Sequence, residues 1–381
     1  MRRFAGCGLL SLLCLAGWPA LRGKRNVIPG TETMPALSGA LETTTVHGWG
    51  GLQLEALRSK RFGSDPGRPV IIFIHGFPDQ YLSFLESCEH FQELGFDVMS
   101  LSLRGYSLSA IPSDGDMSLH AAAMDIVTVV RAFEGAARRE THLVGHDWGS
   151  AVAQIAVRIR PDLFRTLTIA AVPNVQRMQV SNILEYPLAT MQQLYHSWYM
   201  LVFQTPVWRF ITGGSGITGL INSWDKRRQP VSEWRLNAIL QMFDEAEVRR
   251  TAVSMYKQNA LQLAIPEYGR RSHPATWEQA QKTIDLPTLA LFGEDDDCIT
   301  GTTFRIATRA EDFPRGVTLE MMAGVGHFMH WHDGPGFNAR ILAFIHDHGH
   351  GSNGSNGSGE GGKKKPAEEA GAPPVSFRNE L

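Results

Sequence analysis

The sequence predicts an α/β fold: a mostly parallel central sheet with flanking helices and an inserted helical subdomain. Three observations predict it. From about Val46 to His348, short β-branched or apolar runs alternate with helical patterns. Between residues 174 and 283 the alternation stops, and a helix-prone stretch rich in Trp, Tyr, Met and Gln takes its place, too long to be a loop. Finally, Gly145-His146-Asp147-Trp148-Gly149 sits directly between the strand-like HLVG and the helix-like SAVAQIAVRI, as a sharp strand-to-helix turn would.

Taken in chain order, residues 1–25 carry Arg2-Arg3, an apolar stretch from Phe4 to Ala20, and then Arg22, Lys24 and Arg25. An apolar run shorter than the roughly 20 residues of a full span, with a basic start, reads as a signal peptide or an uncleaved signal anchor. Trp18 stands where a small residue is expected if cleavage follows Ala20. The strands expected next are Val70–His75, Val98–Leu103, His142–Gly145, Leu167–Ala171, Leu286–Phe292 and Val317–Met322. Helices are expected at Tyr81–Leu94, Ser118–Phe133, Ser150–Arg160 and Phe337–His346. The core therefore comprises residues 46–173 and 284–348, with a helical lid at 174–283 that contains no convincing strand. Residues 349–381 are Gly/Ser/Asn-rich, then Lys- and Pro-rich, and read as a disordered tail.

That tail holds two Asn-Gly-Ser sequons, at Asn353 and Asn356, and closes on Arg378-Asn379-Glu380-Leu381. The closing tetrapeptide resembles the Lys-Asp-Glu-Leu type of retrieval signal, with Asn in place of the acidic second residue. Together with the signal-like start, these features give an expectation of a glycosylated endoplasmic-reticulum protein. Secretion, or membrane association through residues 4–20, is the alternative.

Composition excludes several classes. Lys+Arg 36 against Asp+Glu 38 leaves no basic excess with which to bind nucleic acid. With 43% hydrophobic and 19% charged residues the chain lies outside the disordered class. Four Cys make no disulfide scaffold, and Cys88 and Cys298 show no metal-ligand spacing. His330, His332, His346, His348 and His350 match no ligand motif either, so no metal is expected.

The chemistry lies in the turn. Small residues two positions either side of a central one let the chain reverse sharply and hold the central side chain out, usually a nucleophilic Ser. Here the centre is Asp147, already ionised at neutral pH and suited to displacement at saturated carbon. Alone, it would be better read as a helix cap. His75-Gly76-Phe77-Pro78 follows a strand where half of an oxyanion hole is expected, so the amides of Phe77 and Trp148 could face a developing oxyanion. Gly293-Glu294-Asp295-Asp296 offers an acid, and Gly324-Val325-Gly326-His327 a histidine, each again after a strand.

On these motifs the chain resembles the epoxide hydrolases of the α/β-hydrolase fold, a group shared with haloalkane and fluoroacetate dehalogenases. The resemblance covers about Val46 to His348 and rests on HGFPD (His75–Asp79), RGYS (Arg104–Ser107), GHDWG (Gly145–Gly149), SWYMLVFQ (Ser197–Gln204), GEDDD (Gly293–Asp297) and GVGHF (Gly324–Phe328). It implies that Asp147 is the nucleophile, His327 the general base and Asp296 the orienting acid, with Asp297 the fallback among three consecutive aspartates. Tyr199, in a Tyr-x-x-x-Phe-Gln context, and Tyr256, followed by Lys257, match the family's two lid donors to the epoxide oxygen; as residues they could equally be packing. His75, Phe77, Pro78 and Trp148 are the expected substrate or oxyanion residues.

The implied reaction needs no cofactor. Asp147 opens an apolar epoxide to form an alkyl-enzyme ester, and water activated by His327 releases a vicinal diol. Two departures bear on the alternatives. Phe77 stands where haloalkane dehalogenases often place Asn, and Trp148 where fluoroacetate dehalogenases place Arg. The Arg-Gly-Tyr segment also continues Ser107-Leu108-Ser109 instead of Gly-x-Ser. A hydrolytic haloalkane dehalogenase is the competing reading, and a non-catalytic small-molecule-binding protein on the same fold is the competitor from a different class.

Overall fold

The computed structural model describes residues 33–134, 139–178 and 185–349, together with the backbone of 27–28 and 376–378. Eight strands form most of one sheet: β1 (Leu41–His47), β2 (Gln53–Ser59), β3 (Val70–Ile74), β4 (Asp97–Leu101), β5 (Thr141–His146), β6 (Thr166–Ala170), β7 (Thr288–Gly293) and β8 (Val317–Met322). Their order across the sheet is β1-β2-β4-β3-β5-β6-β7-β8, and every neighbouring pair from β4 to β8 is parallel. Strands β3 to β7 are buried along their whole length. That is why they read as unbroken apolar or β-branched runs.

β1 and β2 were not visible in the sequence. They form an antiparallel hairpin in register from Leu41↔Ser59 to His47↔Gln53, and β2 joins β4 antiparallel. β1 lies at the sheet edge and, past the buried Leu41, alternates half-buried with exposed residues, so LETTTVH carries no apolar run to detect.

Helices α1 (Leu85–Glu93), α2 (Leu119–Phe133) and α3 (Trp148–Ile159) cover this part of the sheet. The Ser118 hydroxyl caps α2 by accepting from the Ala121 amide at 3.2 Å. Arg104 of the RGYS motif makes a buried two-pronged ion pair with Asp125 of α2, so that motif braces the fold away from the cavity. The lid holds α4 (Pro187–His196), α5 (Trp198–Phe203), α6 (Trp208–Ile211), α7 (Ser215–Ser223), α8 (Glu233–Asp244), α9 (Ala246–Ala264), α10 (Pro266–Ser272) and α11 (Pro274–Ala280). Pro266 and Pro274 each open a helix, where a missing N–H costs nothing. Three helices complete the core: α12 (Gly301–Ala307), α13 (Met329–His332) and α14 (Gly334–Gly349).

One expectation for the lid needs correction. Val231–Ser232 forms a two-residue strand, paired in parallel with Val27–Ile28. The run is too short for periodicity to reveal, and its partner lies more than two hundred residues away in sequence. In the tail, Ser376–Arg378 pairs in parallel with Thr318–Glu320 and extends the sheet beyond β8. The Phe4–Ala20 stretch, both sequons and His350 lie outside the described residues. Among the described residues, no helix is long and apolar enough to cross a membrane.

Candidate active site

Asp147 sits at the C-terminal end of β5, between its last residue and the first of α3. Its backbone is held at φ 53° and ψ −122°, a left-handed conformation that L-residues rarely adopt. The neighbouring glycines make the turn possible. A Cβ on Gly149 would come within 2.1 Å of the Ile74 carbonyl oxygen, and one on Gly145 within 2.4 Å of the Gly149 oxygen. The Asp147 side chain does not cap α3. Its Oδ1 instead accepts a 2.8 Å hydrogen bond from the Phe77 amide. The Trp148 nitrogen borders the same spot: a Cβ on Gly76 would lie 2.4 Å from Asp147 Oδ1 and 2.7 Å from Trp148 N.

Loops at the ends of β7 and β8 bring in the other two groups. His327 Nε2 lies 3.5 Å from Asp147 Oδ2, and its Nδ1 is 2.9 Å from Asp296 Oδ2. The second Asp296 oxygen accepts from the amides of Cys298 and Ile299, at 2.7 and 3.1 Å, which fixes the carboxylate. Of the three consecutive aspartates, Asp295 pairs with Arg227 and Asp297 faces His196 and Lys226. Asp296 alone of the three meets His327.

Both catalytic candidates are buried, and their charges hold each other. Burial pulls the His327 imidazolium down, but the carboxylates of Asp296 and Asp147, with Cys298, outweigh it and hold its pKa well above the ordinary histidine value. Burial likewise pushes the Asp147 carboxyl up, and the hydrogen bond and charge of His327 bring it below the ordinary value. Each partner thus favours the charged form of the other.

Asp147 and Trp148 line a cavity of about 170 Å³ together with Tyr199, Tyr256 and Cys298. Its walls run from these buried groups to the half-buried Tyr186 and the exposed Leu194, so it opens through the lid. Tyr199 and Tyr256 reach it from α5 and α9, with ring centroids 5.9 Å apart. The Tyr199 hydroxyl meets Cys298 Sγ at 3.1 Å, whereas Tyr256 Oη is buried with no acceptor for its proton, the donor-only indole of Trp148 being its polar neighbour. Burial pushes both phenols well above their ordinary pKa; the Asp147 charge adds to this in both, ranking next after burial for Tyr256.

His75 and Pro78 are buried but do not line the cavity. The His75 ring is spent on the backbone: Nδ1 donates to the Gly76 carbonyl and Nε2 accepts from the Leu103 amide. It braces the loop that carries Phe77 and makes no contact with the cavity, which departs from the expectation of a substrate residue.

Sequence reasoning missed two supports. Cys298, read only as lacking metal spacing, lies two residues beyond Asp296 and so shares its loop. Gln193 of α4 ties the lid to that loop, donating to the Cys298 carbonyl and accepting from the Thr300 amide. Behind the site, His146 donates to the His327 carbonyl and packs on His330, whose Nε2 meets Asp79 at 3.0 Å. Burial, only partly offset by His75, Ser83 and Gln80, raises the Asp79 carboxyl to about 6. Ligand-type atoms of Asp79, His146 and His330 lie within 4.8 Å of one another, as do those of Asp147, Cys298 and His327. In both groups, hydrogen bonds and ion pairs within the protein already engage the ligand-type side chains.

Residues 69–333 match the family model described as the alpha/beta hydrolase fold. The chain belongs to that family. Among curated proteins it is similar to epoxide hydrolase 3 of Mus musculus, 24% identical over 73% of this chain and 71% of that protein. It is also 24% identical to epoxide hydrolase A of Mycobacterium tuberculosis, over 74% of this chain and 91% of that one. Among solved structures, an epoxide hydrolase from Vigna radiata superposes with a TM-score of 0.61 at 18% identity, covering 82% of this alpha/beta hydrolase and 100% of that chain. A likeness at that identity speaks for the fold alone.

Proposed function

We propose that this alpha/beta hydrolase is an epoxide hydrolase, with an apolar epoxide and water as substrates and a vicinal diol as product. The observation that carries the reading is the pair of buried phenols, Tyr199 and Tyr256, lining one cavity with the Asp147 carboxylate. A buried phenol with no acceptor is costly, and an epoxide oxygen would supply the acceptor that Tyr256 lacks. The relatives named epoxide hydrolase support the same reading.

In the mechanism we propose, Asp147 attacks a ring carbon and the C–O bond of the epoxide breaks. A phenol protonates the leaving alkoxide and is left as a tyrosinate. Ester formation discharges Asp147, so His327 loses one of the carboxylates that held its proton. That proton returns to the tyrosinate, which burial makes strongly basic. Neutral His327, oriented by Asp296, then takes a proton from water as the water attacks the ester carbonyl. The amides of Phe77 and Trp148 face the oxyanion. Collapse expels the second alkoxide, which takes the hydroxyl proton of the intermediate; the diol leaves, Asp147 is again a carboxylate and His327 keeps the proton from water, so the protons balance over the cycle.

A panel of aliphatic, aromatic and fatty-acid epoxides assayed for diol tests the reading, with chloro- and bromoalkanes assayed in parallel for halide. Diol formation is expected. Halide release without diol would establish the dehalogenase instead, since Trp148 in the cavity wall also suits a halide. Neither product would leave a binding protein. We further propose that the protein resides in the endoplasmic reticulum, supported by the Phe4–Ala20 stretch, the two sequons and the Arg378–Leu381 terminus.

A further inference from the structure

We propose that the lid docks on a lipid bilayer and draws its epoxide from it through the mouth of the cavity; only the second half of this rests on the epoxide reading. Among the described residues, 13 large hydrophobic side chains are exposed, and nine of them lie on the lid. In α4, Leu188, Met191 and Tyr195 recur at helical spacing and are 83%, 62% and 60% exposed. The opposite side of that helix is tied to the core through Gln193. This helix therefore turns its apolar face outward, the reverse of an ordinary surface helix. Phe210, on α6, is 76% exposed.

The patch meets the cavity mouth at Leu194, and other exposed residues adjoin wall residues in sequence. Leu194 is both exposed and part of the cavity wall. Leu188 precedes Ala189 of the wall, Leu201 follows Met200, and Ile265 follows Ala264. An apolar rim around an apolar channel suits a lipid phase better than a folded partner, because a ligand dissolved in acyl chains then enters without crossing water.

The start of the chain argues for the same occupant. Val27–Ile28 pairs with Val231–Ser232, directly before α8 of the lid. The apolar stretch ends at Ala20, so at about 3.5 Å per residue it lies within roughly 25 Å of that anchor point. Arg22, Lys24 and Arg25 fall between them in sequence, a basic run of the kind that anionic head groups attract.

Hydrogen exchange on the full chain, with and without vesicles of four parts phosphatidylcholine to one part phosphatidylserine, tests the docking. Amides of residues 187–211 should slow only when vesicles are present, and lose that protection in the Leu188→Gln/Met191→Gln/Phe210→Gln variant. Turnover of epoxidised octadecene carried in vesicles should fall about tenfold in that variant, while turnover of dissolved styrene oxide stays at the parent rate and reports a folded site. If the triple variant fails on styrene oxide, Leu188→Gln alone carries the same comparison. A chain that binds vesicles without slowing these amides, or does not bind them, overturns the proposal. So does protection that needs no vesicles and rises with protein concentration, which would mean that a second copy covers the patch. A parent inactive on both epoxides would sink the epoxide reading and leave the exchange result standing.

Discussion

The charges of Asp147 and His327 hold each other, and the reaction proposed above turns on the His327 proton. Because His327 sits well above and Asp147 below their ordinary pKa values, kcat/KM should hold its plateau into mildly acidic solution and fall on the alkaline side, as His327 loses the proton that the tyrosinate needs. A pH profile centred near an unperturbed histidine value, with its loss on the acid side, would contradict this. His327→Gln should still alkylate but not hydrolyse, so intact mass should show one substrate added per chain while kcat drops about 10²–10⁴-fold. Tyr199→Phe combined with Tyr256→Phe should slow the appearance of that adduct by on the order of 10²–10³-fold, the scale seen when charge-stabilising donors are removed. Adduct formation at the parent rate in the double variant would make these phenols packing residues. Cys298 contributes here without reacting: its buried thiol meets the Tyr199 hydroxyl and its amide helps to hold Asp296.

At the level of elements, the turn between β5 and α3 is the least forgiving feature. A methyl on Gly149 meets backbone carbonyl oxygen atoms of β3 and its following loop, which cannot swing aside as a side chain would. Gly149→Ala should therefore cost about 1–3 kcal/mol in urea unfolding and remove most diol formation, because the Asp147 carboxylate moves with the turn. Unchanged stability and activity would show that the turn is looser than its geometry implies. The same element explains how much could be read from sequence. Asp147, His327 and Phe77 were legible because each lies just beyond a strand whose apolar residues announce it; the strand before the three aspartates pointed only to the cluster, and the family resemblance picked Asp296 from it. Tyr199 and Tyr256 needed the family resemblance, since a helix in an aromatic-rich lid gives no local sign of which ring faces the cavity. The β1–β2 hairpin stayed hidden behind its polar face. His75 looked like a site residue by adjacency, yet its two ring nitrogens answer backbone groups. Cys298 was on the page, two positions from the acid, but only the fold sets its sulfur against Tyr199.

For the whole molecule, sorting is the open behaviour that its termini propose. If Arg378–Leu381 retrieves the protein, masking it should send a cleaved soluble form into the medium, or move an anchored form onward with membranes. Full-length protein in the cytosol with unmodified Asn353 and Asn356 would defeat that reading. How the masking is done matters, because Ser376–Arg378 lies against Thr318–Glu320 at the margin of the sheet. Cutting the last four residues takes away Arg378 and loosens the strand that covers β8. A bared margin invites pairing with other chains, and aggregates held back in the cell would imitate retention. Appending a few residues after Leu381 avoids the confusion: it buries the address inside a longer chain while Arg378 stays opposite Glu320.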